Sequence, residues 1–169
     1  MNKIVLIAGG ALLIGGASTV AFCAPSEPEV QPLSAEFTSS GEDLLNAHHP
    51  EDAIRQFETA LAVDPKNVRA YIGMARAHEE LGLPGRAVKF YREGLTIDPT
   101  NLVALQEQGE ALVERGAVAR AEVNLARIRD LCQRECSPAE QLASAIKAGP
   151  PVVESAEAAA EADTLPPTN

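Results

Sequence analysis

A period of 34 residues constrains this chain more than any other feature. Asp64-Pro65 recurs at Asp98-Pro99, and Asn67 recurs at Asn101. Ala53, Ala87 and Ala121 keep the same offset, as do Phe57, Tyr91 and Leu125, and Gly82 and Gly116. Gly41 and Gly109 share a slot two periods apart. Agreement of so many slots at one spacing marks a repeat architecture, in which each unit buries its apolar face against its neighbours. Composition agrees with helical units. Only 4% of the 169 residues are aromatic and alanine is abundant, which disfavours a β-sandwich or barrel.

Within each period the apolar spacing and punctuation predict two helices. They run over residues 35–47 and 50–63, then 68–81 and 84–97, then 102–115 and 117–134. Ala53, Ala87 and Ala121 fall where paired helices touch, and Gly41, Ala75 and Gly109 do the same on the first helix of each pair. Phe57, Tyr91 and Leu125 supply bulk between units. Gly82 and Gly116 allow a left-handed turn after the first helix. Pro65 and Pro99 stop the second, and Asn67 and Asn101 cap the next.

This pattern resembles the tetratricopeptide repeat family over residues 34–133, roughly three-fifths of the chain. The resemblance implies an all-α solenoid of three units, 34–67, 68–101 and 102–133. The third unit departs most. Phe37 and Tyr71 give way to Leu105, Ala60 and Gly94 give way to Ile128, and the closing proline becomes Gln133. Its second helix is therefore expected to run on without turning. Ser137-Pro138-Ala139-Glu140 reads as a capping box that opens a further helix from Pro138 to about Ala148, ended by Gly149. Leu142, Ala145 and Ile146 form its apolar stripe. This capping helix, within 134–148, should cover the third unit. A CxxxC turn with a short helix also resembles the ending of small exported bacterial proteins of this family.

The remaining segments look extended or targeting. Lys3 precedes an uncharged apolar run from Ile4 to Phe22. Residues 1–23 read as a cleaved export signal or a retained membrane anchor. Lipidation at Cys23 is a variant of either, disfavoured by the bulky Phe22. Residues 24–33 form a proline-rich linker, and 149–169 an acidic Pro/Ala-rich tail too polar to bury a core. Export would place the repeats in the periplasm, free or anchored to the inner membrane. An oxidising compartment favours a structural disulfide between Cys132 and Cys136. A redox or metal-binding pair and free thiols are the alternatives.

The family resemblance implies that the first helices of the units line a concave groove. Its matching slots are Thr38, Glu42, Leu45 and Asn46, then Arg69, Ile72, Arg76 and Glu79, then Val103, Gln106, Glu110 and Val113. Relatives that clamp a C-terminal carboxylate use Lys and Asn in slots held here by Thr38 and Glu42, so that ligand class is not supported. The mixed groove suits a peptide or helix of a partner protein. A net charge of −10 opposes nucleic acid. Contact with a membrane would come only through the N-terminal anchor. His48-His49 reads as a solvated turn and His78 as a packing residue.

There is no phosphate loop, zinc-protease helix or nucleophile elbow. The chain therefore reads as a non-enzymatic interaction adaptor or scaffold needing no cofactor and no metal, with the oligomeric state open. A thiol or metal-handling accessory protein using the cysteine pair, and a structural subunit of a pilus or secretion complex, are the competing readings.

Overall fold

The computed structural model describes residues 30–132 and 136–151. Over these residues the chain forms seven α-helices: α1 Pro32–Asn46, α2 Pro50–Val63, α3 Val68–Glu80, α4 Pro84–Ile97, α5 Leu102–Glu114, α6 Val118–Leu131 and α7 Ser137–Ala148. Each helix packs on the next through α6, and α7 lies across α5 and α6. The result is a solenoid of three helix pairs closed by a seventh helix. Residues 1–29 and 152–169 lie outside the described residues, and with them the export segment, most of the linker and most of the tail. No helix among the described residues is long and apolar enough to cross a membrane.

Punctuation by sequence explains most boundaries. Asn67 Oδ1 accepts from the Ala70 N–H at 3.2 Å, and Asn101 Oδ1 accepts from the Ala104 N–H at 3.0 Å. Each thereby satisfies one orphan donor at a helix start. After α3, the Gly82 N–H donates to the Glu79 carbonyl and the Leu83 N–H to the His78 carbonyl, both at 2.8 Å. That double return requires a left-handed residue, and Gly82 takes φ +69. Gly116 repeats the arrangement at φ +73. The first unit has no glycine there. His48 occupies the slot and takes φ 59, with the same paired bonds to Leu45 and Leu44.

The slot residues behave as the period predicts. Ala53, Ala87, Ala121, Phe57 and Tyr91 have no exposed surface, and Leu125 has little. Phe57 lies so close to α1 and α3 that a Cβ on Gly41 or Gly73 would sit 2.6 Å and 2.4 Å from its ring. One aromatic thus fills the seam between units because two glycines make room for it.

Four expectations need correction. Helix α1 begins at Pro32, inside the expected linker, because proline suits a first turn that needs no N–H. Helix α6 does not run on. It stops at Leu131, one period after Ile97 and two after Val63, and Cys132 turns extended with no proline to force it. Cys132 holds the C-cap position that Asp64 and Asp98 hold in the earlier units. Ser137 is not a cap: α7 already includes it, Cys136 is the N-cap residue, and no side chain caps that end. Finally, Gly109 makes room for the seventh helix and not only for its own pair. A Cβ there would lie 2.6 Å from both Leu142 methyls. Leu142 is fully buried, with Ala139, Ala143 and Ile146 packed beside it, so the stripe uses Ala143 where Ala145 was expected.

Candidate functional site

Helices α1, α3 and α5 present one shared face, tied together by side chains that cross between them. Arg69 on α3 donates through Nη2 to both carboxylate oxygens of Glu42 on α1, at 3.0 and 2.7 Å. Arg76, two turns further along α3, forks onto Glu107 of α5. Its Nε lies 2.9 Å from one oxygen and its Nη2 2.5 Å from the other. Such paired bonds fix the guanidinium plane as well as its position. The hydrogen bond to Glu107 holds the Arg76 pKa above its usual value, against the cost of burial.

Beneath Arg76 the face becomes acidic. Tyr91 Oη reaches up from α4 to lie 2.9 Å from Glu79 and 3.0 Å from Glu107. Burial pushes the Glu79 carboxyl up to about 7; the Tyr91 hydrogen bond opposes this, and Glu107, Glu114 and Glu110 add to the rise. Burial likewise raises Glu110, against the bond that it accepts from Gln106 at 3.1 Å. The Tyr91 hydroxyl is held well above its ordinary pKa by burial and the two carboxylates, so it stays neutral. A neutral phenol has one proton to donate. That proton lies between two carboxylate acceptors, Glu79 and Glu107.

Nine of the twelve groove residues expected from the sequence keep some exposure. Asn46, Arg69, Arg76 and Val103 are exposed, and Glu42, Leu45, Glu79, Gln106 and Glu110 are half-buried. Three belong to the interior instead. Thr38 is 1% exposed, Ile72 7% and Val113 4%, too little for any of them to meet a partner. Thr38 is consumed in a buried network. Its hydroxyl donates to the Ser34 carbonyl at 2.8 Å and accepts from Asn67 Nδ2 at 2.8 Å. The same Asn67 amide donates to Ser34 Oγ, which donates to the Ala60 carbonyl, each at 2.8 Å. Ile72 and Val113 belong to the apolar cluster that also contains Leu142.

Glu107 and Tyr91 are the contributors that slot matching missed. Glu107 stands 31 residues after Arg76, one period less one helical turn, so a search for opposite charges at that spacing finds it. Tyr91 was assigned to packing alone, and nothing in the sequence shows where its hydroxyl ends.

A tetratricopeptide repeat family model matches residues 39–101, covering the first two units from within α1. Those residues match the tetratricopeptide repeat family, and the fold around them is the helical solenoid that such proteins share. Solved structures share the chain's fold. The Yersinia enterocolitica type III secretion chaperone SycD, in complex with a peptide of the translocator YopD, is 20% identical. That match covers 68% of this chain and 89% of SycD, with a TM-score of 0.61. PcrH, in complex with the chaperone binding region of PopD, is also 20% identical, over 68% of this chain and 88% of its own, at 0.60. The first repeat domain of Spaghetti (RPAP3), bound to an HSP90 peptide, is 15% identical over 73% and 97%, at 0.63. No curated protein sequence matches the chain. The family assignment sits on the units whose caps and glycine seams are described above, and the third unit lies beyond the matched residues.

At the cap, Cys132 and Cys136 form a disulfide that joins the end of α6 to the start of α7. The bond holds the start of α7 near the end of α6. Both sulfurs are used in it.

Proposed function

We propose that this protein is a non-enzymatic adaptor of the bacterial cell envelope that captures a peptide or helix of a partner protein on the α1–α3–α5 face. The observation that carries the reading is the face itself: an ordered row of Glu42–Arg69 and Arg76–Glu107 pairs beside half-buried Leu45 and exposed Val103. Apolar patches flanked by oriented charge suit an extended or helical peptide. Proteins of the same fold solved with partner peptides support this class of ligand. The uncharged run before Cys23 and the Cys132–Cys136 bond support an envelope location, since disulfides persist where the compartment is oxidising.

Photocrosslinking in cells from Val103, which is 42% exposed, tests the binding face. One discrete adduct is expected, weakened by Arg69→Glu and unchanged by Arg120→Glu on α6. An adduct insensitive to Arg69→Glu overturns the assignment. A phosphatase that folds only where disulfides form, fused after Asn169, tests location. It should be active, and inactive once residues 1–23 are deleted.

A further inference from the structure

A second recessed site lies where α2, α3 and α4 meet, and it shares no residue with the α1–α3–α5 face. The pocket is open to solvent and has a volume of about 450 Å³. Phe90 and His78 form one wall as a stacked pair, with centroids 5.1 Å apart and planes within 7°. Ile54 and Leu83 are apolar neighbours, and Leu83 remains 41% exposed despite its size.

Two cations stand on its rim. Arg86 and Lys89 are one turn apart on α4, and Lys89 Nζ lies 5.8 Å from the Phe90 ring centroid. Among the described residues neither is engaged by a carboxylate, whereas Arg69 and Arg76 both are. Glu58 is the one carboxylate in the lining, so the rim carries an excess of positive charge on a chain whose net charge is −10.

A third observation is independent of these two. His78 is 6% exposed, and its Nδ1 is buried with no hydrogen-bond partner. Native interiors leave few such atoms unsatisfied. Burial holds the imidazole below its usual pKa, Arg86 pushes the same way, and Glu58 opposes them. An anion at the rim would offset the Arg86 charge felt by this ring.

We infer that the α2–α3–α4 pocket is a second binding site, which takes an apolar or aromatic side chain of an acidic peptide segment, its flanking carboxylates on Arg86 and Lys89. Charge complementarity selects the flanks and the His78–Phe90 wall selects the anchor. The volume accommodates a large side chain with its neighbours. Because the rest of the molecule is acidic, the attraction is local, reaching about one Debye length, and salt weakens it.

The test uses the full chain and three fluorescein-labelled pentapeptides, blocked at their ends, read by anisotropy. Asp-Glu-Phe-Asp-Glu should bind. Asp-Glu-Ser-Asp-Glu and Lys-Arg-Phe-Lys-Arg should bind more weakly by about tenfold or more. Arg86→Glu combined with Lys89→Glu should weaken the first peptide by about tenfold, and Leu83→Asp should weaken it as well. All three positions are exposed, and unchanged helical circular dichroism confirms the fold. Arg69→Glu on the other face should leave this binding unaltered, which separates failure of this site from failure of the first. Equal affinity for the serine or cationic peptide overturns the inference. So does the absence of binding, a loss caused by Arg69→Glu, or a doubled mass in sedimentation showing the pocket filled by a second copy.

Discussion

His48 shows how one side chain can be at odds with its slot. Its counterparts Gly82 and Gly116 carry no Cβ, and φ 59 costs an L-residue about 1 kcal/mol. Its Nδ1 does reach Glu80 Oε1 at 2.5 Å, but the imidazole is mostly solvent-exposed and such pairs contribute little. His48→Gly is therefore expected to raise the melting temperature, with a gain of about 1 kcal/mol in denaturant titration. Gly82→Val should do the reverse. A Cβ at Gly82 meets no atom within 4 Å, so the loss would come from backbone strain and not from a clash. Glu79 makes the second residue-scale case. Its folded pKa of about 7 stands above the ordinary carboxylate value of 4.5. Its contribution to stability is thus fully present below the unfolded value and is lost as pH rises through about 7. Tyr91 from α4 and Glu107, Glu110 and Glu114 from α5 set that environment, and Glu110 shifts in the same direction. The melting temperature should fall between about pH 5 and about pH 8. Glu79→Gln, which cannot titrate, should flatten that fall. Equal slopes for the two proteins would contradict the raised pKa of the buried Glu79 carboxyl.

Helix α7 is an element whose place depends on one contact. Leu142 fills the notch at Gly109, and Ala139, Ala143 and Ile146 flank it. Leu142→Ala should cost about 2–5 kcal/mol, and it should expose Ile128 and Leu112 of the third unit. Amide exchange in α5 and α6 would report that exposure. Reducing the disulfide should cost less than removing Leu142, because the loop that it closes is short. Helix positions were legible in the sequence because they rest on local chemistry that repeats. Four of the six repeat helices start where expected to the residue, and both asparagine caps form. The end of α6 was legible in the period but not in the punctuation: the helix stops in register at Leu131 although no proline follows it. The binding face was legible in part for a related reason. Slot matching treats all first helices as equivalent, yet the slot shared by Thr38, Ile72 and Gln106 is buried in two units and half-buried in the third. The cue was present, since an isoleucine in that slot already marks it as interior.

Across the whole molecule the interior divides into two clusters. One gathers Ala53, Phe57, Ala60, Ala70, Met74 and Ala77 around α1, α2 and the inner side of α3. The other runs from Ile72 through Tyr91 and Leu105 to Leu142. Phe90 packs against both. A solenoid has only neighbour contacts, so its stability is a sum of units and seams, and an end unit can open alone. The first seam differs from the second in kind. Ser34, Thr38 and Asn67 form a closed polar network there, whereas one period later Val68, Ile72 and Asn101 stand in those places and Asn101 turns to Asp98 at 3.1 Å. Asn67→Ala removes the α3 cap and leaves the two buried hydroxyls without their donor, a loss of about 1–3 kcal/mol. That loss falls on the contact between the first unit and the rest. Amide exchange in α1 and α2 should therefore accelerate by about tenfold or more, while α5, α6 and α7 keep their protection. Uniform acceleration across all seven helices would mean that the solenoid opens as one cooperative body, and that the network stabilises the whole and not the seam.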